Sequence, residues 1–328
     1  MPGLSRGFAR VAFAMVVQAA TAQTPSWQAP RLADGHPDLQ GDWTNTSLTL
    51  LERSDPSLAL KPSPSEVKRL EADRAEIYAG AGARPDPAEG APPRGENPGG
   101  VNLYWADRSD RLAIVRGEAR SSWISDPPDG KMPISPEGAK RIAAILAKRS
   151  DAGPEGMNPA DRRLIGSRGS GGPPMLNNLY NNTHQVVQTP GAVVIDVEMM
   201  HDARIIRMNS PARPEGLRQW LGDSVGRWEG ETLVVVTRGW KQLQGDYGPV
   251  YLSEQATVTE RSTRTAKDEL FYQFAVIDPA FYSQPWSGEM TFYPANGPVY
   301  EYACHEGNYA LEHILAGARN QERGSNGG

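Results

Sequence analysis

Histidine is the side chain best suited to proton transfer near neutral pH, and this chain of 328 residues has five. Two of them keep acidic company: His201 sits beside Glu198 and Asp202, and His305 beside Glu301 and Glu306. A carboxylate next to an imidazole can orient it, share its proton, or help it hold a cation. His184 opens an apolar run, while His36 lies in an N-terminal turn and His313 in a C-terminal helical segment. The candidate catalytic groups are therefore His201, His305, Asp202, Glu301 and His184. Arg204, Glu198, Trp240 and Tyr302 are the candidate substrate contacts.

Three chemistries are open to these groups. They can be hydrogen-bonded structural polar residues, as buried polar groups usually are. They can perform acid/base catalysis, with His201 and His305 carrying protons and Arg204 steadying an anion. They can also bind a divalent metal through two or three histidines and a carboxylate. No H-x-x-x-H or H-E-x-x-H spacing occurs, so no metal site is assigned. No G-x-S-x-G, P-loop or dinucleotide fingerprint occurs either, and no cofactor is expected. The single cysteine, Cys304, adjoins His305, but neighbours on a strand point to opposite faces. Cys304 therefore reads as a buried thiol, not a nucleophile.

Strand phase bears on which groups meet. If Ala192–Arg204 were one extended strand, Asp196, Glu198, Asp202 and Arg204 would share a face, and His201 would join Val193, Ile195 and Val197 on the apolar one. A turn at Met200–Ala203 would change that assignment. In the last expected strand Glu301, Ala303 and His305 share a face, so Glu301 is placed to orient His305.

The elements that must position these residues are mostly strands. Period-two segments separated by Gly, Pro, Asn or Asp turns cover His184–Gln188, Ala192–Glu198, Arg204–Met208, Val225–Glu229 and Glu231–Thr237. Others are Ala256–Thr265, Glu269–Ile277, Gly288–Tyr293 and Val299–Cys304, with Gly41-Asp42-Trp43 as a first short strand. Ser63-Pro64-Ser65-Glu66 and Ser135-Pro136-Glu137 open two helices, and a third runs from Tyr309 to Ala318 behind Asn308. Gly and Pro number 34 and 28, gathered in patches such as 79–100 and 166–174, which read as loops or disorder.

The expected fold is mainly β. It is a lipocalin-like antiparallel barrel or strongly curled sheet, with a few peripheral helices and long N-terminal loops. A β-sandwich or an open sheet with helices on one face is the alternative. Residues 23–175 would wrap the barrel, 176–319 would form it together with the C-terminal helix, and 320–328 would be a disordered tail.

Residues 1–22 have the order of a signal peptide: Arg6 and Arg10, the apolar stretch Val11–Ala20, then Ala20-Thr21-Ala22. The apolar stretch is short for a membrane span, which needs about twenty residues. A periplasmic or secreted location is expected, without a membrane span. Of 34 Lys and Arg, cleavage would remove two and no acid, leaving 32 against 39 Asp and Glu, a formal −7. That balance disfavours a nucleic-acid partner. The oligomeric state is not readable.

Several segments together resemble a widespread family of exported bacterial proteins with no established family-wide activity. They include Pro37-Asp38-Leu39-Gln40-Gly41-Asp42-Trp43-Thr44, Asp126-Pro127-Pro128-Asp129-Gly130 and Pro173-Pro174-Met175-Leu176. They continue with Glu198-Met199-Met200-His201-Asp202-Ala203-Arg204-Ile205-Ile206 and Trp228-Glu229-Gly230-Glu231-Thr232-Leu233, and end with Glu301-Tyr302-Ala303-Cys304-His305-Glu306-Gly307-Asn308-Tyr309. Against the family pattern this chain departs at His184 and at Arg238-Gly239-Trp240, changes that would fit either a reshaped pocket or drift.

The aromatics from Trp220 to Tyr302 would mostly fill a core, and a subset lining a cavity would favour flat ligands. The expected function is acid/base chemistry (isomerase, cyclase, lyase or hydrolase) on a small apolar or aromatic molecule in a barrel cavity. A non-catalytic carrier of small hydrophobic ligands is the alternative.

Overall fold

The computed structural model describes residues 27–82, 107, 109–150, 153–160, 162, 164–166, 170–178, 180–214, 216–241, 249–303 and 309–325. In chain order its strands are β1 (Gly41–Thr44), β2 (Ile114–Val115), β3 (Glu118–Ala119), β4 (Ile124–Asp126), β5 (Thr183–Gln188), β6 (Ala192–Val197) and β7 (Asp202–Met208). They continue with β8 (Asp223–Glu229), β9 (Thr232–Arg238), β10 (Thr257–Ala266), β11 (Glu269–Ile277) and β12 (Trp286–Pro294). The helices are α1 (Pro64–Gly82), α2 (Pro136–Ala147) and α3 (Ala310–Ser325). The main sheet has ten strands in the order β1-β5-β6-β7-β8-β9-β10-β11-β12-β4, and β1 also pairs with β12. The chain therefore closes a nine-strand barrel of lipocalin-like kind, and β4 lies outside it on β12. Closure leaves few free strand edges, which are otherwise prone to aggregation.

Alternation along each strand fills the barrel. Val193, Ile195 and Val197 of β6 point in, as do Leu270, Tyr272, Phe274 and Val276 of β11 and Trp286, Met290 and Phe292 of β12. Phe274 meets Trp286 edge-on at 5.7 Å between centroids, and Tyr272 meets Phe292 likewise at 5.5 Å. The lumen is thus packed with aromatic rings. Trp43 is buried at the barrel's start, its indole N–H donating to Leu39 O at 3.0 Å and the Arg264 guanidinium 5.2 Å above its ring.

Both expected helix starts form. The Ser63 N–H donates to Glu66 Oε2 at 2.7 Å, and Ser135 Oγ accepts the Gly138 N–H at 2.9 Å. Elsewhere the structure corrects the sequence. Residues 299–303 form no strand, because β12 is already paired with β11, β1 and β4, leaving no edge for another partner; Cys304 lies outside the described residues. Helix α3 continues past Ala318 to Ser325, through much of the expected disordered tail, with Arg319 paired to Glu322 at 3.1 Å one turn on. The Gly/Pro-rich stretch is irregular but not loose where described: residues 170–176 are buried, and the Met175 N–H donates to the Tyr272 hydroxyl at 3.1 Å. It plugs one part of the barrel interior. Among the described residues no helix is long and apolar enough to cross a membrane.

One strand pair sets the site. β7 and β8 are parallel and share only two register pairs, Arg207↔Val225 and Met208↔Gly226. A parallel pair needs a crossover connection of a dozen or more residues, here 209–222. Ahead of those two pairs the strands separate, opening the wall beside Asp202–Ile206.

Candidate functional site

The turn from β6 into β7 decides what faces inward. Met200 and His201 sit consecutively at φ 65° and 53°, in the left-handed region that non-glycine residues seldom enter. This turn, not one continuous strand, separates Val197 from Asp202, which pair directly across it. Phase is reset, so Asp202 and Arg204 point inward with Ile206 and Met208, away from Asp196 on the outer side. His201 is turned outward and exposed, and its Nε2 accepts the Tyr302 N–H at 3.0 Å. In the neutral ring that bond puts the proton on Nδ1. Tyr302 is half-buried and Glu301 exposed. His305 lies outside the described residues, so no site holding both His201 and His305 is described.

Asp202 is only 9% exposed. Its Oδ2 accepts the Gly166 N–H at 2.6 Å. That approach requires glycine, since a Cβ at Gly166 would lie 2.8 Å from the same oxygen. Burial pushes the Asp202 carboxyl up to about 6, against the pull of the Gly166 bond and the adjacent His201, with Asp196 adding a small upward push. Asp202 and His201 line a cavity of about 450 Å³ at the β7–β8 opening. Arg204 and Ser224 reach it from within the barrel, and Arg213, Trp220 and Lys241 line it as well.

Behind the cavity lies a layer of polar groups inside the barrel. Arg204 Nη1 and Nη2 donate to Glu260 Oε1 and Oε2 at 3.0 and 2.6 Å, a bidentate pair with both side chains buried. The Tyr272 hydroxyl donates to Glu260 Oε1 at 2.7 Å, and Ser224 Oγ lies 2.9 Å from Thr237 Oγ1. Glu260 keeps Arg204 charged despite its burial, and burial raises Tyr272 well above its ordinary value. His184 is sealed in the same interior. Its Nδ1 is 2.8 Å from Asn182 O and its Nε2 3.2 Å from Ser170 O, with Phe292 edge-on at 5.1 Å. Burial lowers the His184 ring to about 4, outweighing both carbonyls, and the Arg204 charge pushes the same way. A neutral ring can donate to only one of these two carbonyls. Enclosed between them and held neutral, His184 is placed to hold the wall rather than to carry protons.

The remaining candidates support this arrangement from outside the cavity lining. Glu198 is buried in the β6–β7 turn, where its N–H donates to Thr183 O at 2.9 Å. Trp240 is fully buried beneath the crossover segment, and its indole N–H donates to Ala256 O at 3.3 Å. Gly222, at φ +71°, lets the chain pass over it, since a Cβ there would sit 2.6 Å from Thr237 Cγ2 and 3.0 Å from the Trp240 ring.

The sequence reading missed Glu260, Tyr272, Ser224, Asp223 and Arg213. Glu260 did carry a signal. It falls in phase with Ala256 and Val258, so a charged residue occupied the apolar face of a strand. Among the described residues no group of three or more His, Cys, Asp or Glu gathers as for a metal ion. No family model matches the chain, and comparison with curated proteins and with solved structures likewise finds no match.

Proposed function

We propose that this protein is an acid/base enzyme, with Asp202 as its proton carrier and His201 beside it, acting on a small molecule at the β7–β8 opening. The observation that carries this reading is Asp202 itself: a nearly buried carboxyl, raised to about 6, lining a cavity of about 450 Å³. A carboxyl in that range is protonated often enough to donate and ionised often enough to accept near neutral pH. Isomerisation, cyclisation, elimination and hydrolysis are all open to such a group. The cavity volume is in the range of small-molecule sites, about 300–1,000 Å³. The alternative, a carrier of hydrophobic ligands, draws no comparable support, because aromatic rings occupy the lumen such a ligand would need. Export to the periplasm or medium, and membership of the family whose motifs the chain resembles, belong to the same proposal and are supported by the residues quoted for them.

The test is proton exchange. The protein is incubated in deuterium oxide with a panel of small aromatic and unsaturated compounds, followed by proton NMR. The parent is expected to exchange or transform at least one compound, and Asp202→Asn to do so at least about 100-fold more slowly, since general acid/base catalysis contributes about 10²–10⁴. Equal rates for parent and variant would contradict the assignment.

A further inference from the structure

The charges around the cavity do not balance. Asp223 is held by two guanidiniums: Arg207 Nη2 lies 3.0 and 2.8 Å from its two oxygens, and Arg213 Nε 3.2 Å from Oδ1. The Arg213 backbone N–H also donates to Asp223 Oδ2 at 3.0 Å. One carboxylate therefore faces two cations, and Arg213 keeps an exposed side of its guanidinium. Arg218 is matched by Glu254 at 2.8 Å, and Arg204 by Glu260. Lys241 has no ion-pair partner among the described residues; its ammonium lies 4.9 Å from the centroid of the half-buried Trp220 ring. With Asp202 ionised above about pH 6, Arg207, Arg213 and Lys241 against Asp223 and Asp202 leave one net positive charge. Arg213 and Lys241 are the exposed cations of this group, beside an aromatic face with Ile165 and Leu221 as apolar neighbours.

We propose that the molecule bound in this cavity is a flat aromatic carboxylate, its ring against Trp220 and its carboxylate held by Arg213 and Lys241. An aromatic face recognises a ring, and an ammonium over that face is positioned to meet an anion on the ring's edge. Arg213 adds charge-assisted donors whose geometry suits a carboxylate. The inference rests on the proposed function only in what Asp202 does next; the binding itself draws on different residues.

Isothermal titration of the mature protein at pH 7.5 with benzoate, 2-naphthoate and indole-3-acetate tests it, with 2-naphthylmethanol as the uncharged control and inorganic phosphate as the ringless anion. At least one of the acids should bind. Wherever 2-naphthoate binds, it should do so at least ten-fold more tightly than the alcohol and than phosphate. Lys241→Met and Arg213→Gln should each weaken acid binding about ten-fold, and added salt should weaken it in the parent, while thermal melts confirm that both variants fold. Lys241 is exposed, so its variant stands if Arg213→Gln disturbs Asp223. No binding by any of the three acids at millimolar concentration would overturn the proposal. So would equal affinity for acid and alcohol, or phosphate binding as tightly as the acids. Asp202→Asn separates the two readings: it should keep or tighten acid binding while removing proton transfer. Acid binding with unchanged proton transfer in that variant would sink only the catalytic role of Asp202.

Discussion

His184 and Asp202 lie in one row across the barrel wall, with Val197 between them: His184 pairs with Val197 across β5 and β6, and Val197 with Asp202 across β6 and β7. All three point inward and are buried. The same burial acts on the two titrating groups in opposite directions, because each is pushed towards its neutral form. Asp202 is raised to about 6 and His184 lowered to about 4.

This row predicts an unusual pH dependence of stability. The neutral Asp202 carboxyl contributes stability that is full below the unfolded value of 3.8 and is lost as pH rises through about 6. The neutral His184 ring contributes stability that is full above 6.5 and is lost as pH falls through about 4. Between about pH 4 and 6 the two slopes oppose. Urea unfolding of Asp202→Asn should therefore show a steeper loss of stability from pH 6.5 to 4 than the parent. At pH 7.5 the same variant should be more stable by about 2 kcal/mol, since it removes a buried charge while an amide oxygen still accepts from Gly166. A destabilised variant at pH 7.5 would mean that Asp202 is a structural anion.

The pair Arg204–Glu260 is the interior counterpart. Arg204→Met should cost about 3–5 kcal/mol in urea unfolding, because it strands Glu260 without its partner. Arg204→Met/Glu260→Met should recover much of that loss, since replacing both members removes both buried charges. A double variant as unstable as the single one would show that the surrounding hydroxyls, not the charge pair, carry the energy.

His201 should behave as a surface group. His201→Asn tolerates the left-handed backbone and should change stability by less than about 0.5 kcal/mol. Hydrogen exchange at the Tyr302 amide should quicken once its acceptor is lost. A large loss of stability would place His201 among the structural residues.

Much of this was legible before any coordinates. Alternation of Val193, Ile195 and Val197 foretells β6, and Gly41-x-Trp43 the strand that closes the barrel. The capping residues Ser63 and Ser135 mark two helices where they begin. The inward face of Asp202 and Arg204 was not legible, because it hangs on two consecutive left-handed residues, Met200 and His201, of types that rarely adopt that backbone. The opening between β7 and β8 was hidden too. It depends on a parallel pairing among otherwise antiparallel strands, which a period-two pattern cannot distinguish. Arg213 and Trp220 lie in the crossover segment, where no periodicity assigns a face.

Export makes its own prediction. If Arg6, Arg10, the apolar run and Ala20-Thr21-Ala22 form the proposed export signal, the cut would leave Gln23 as the first residue. N-terminal sequencing of protein recovered from the periplasm or medium should read Gln23 or a close neighbour. An intact Met1 would contradict it.

The most direct test of the proposed chemistry is the titration of Asp202. Protein carrying ¹³C at aspartate carboxyls is followed by NMR from pH 3 to 9, and the resonance missing from Asp202→Asn identifies the group. A midpoint near 6 is expected, well above the ordinary aspartate value of 3.8 and within reach of neutral-pH proton exchange. A midpoint at or below 3.8 would show a permanently ionised structural carboxylate and would contradict the assignment of Asp202 as proton carrier.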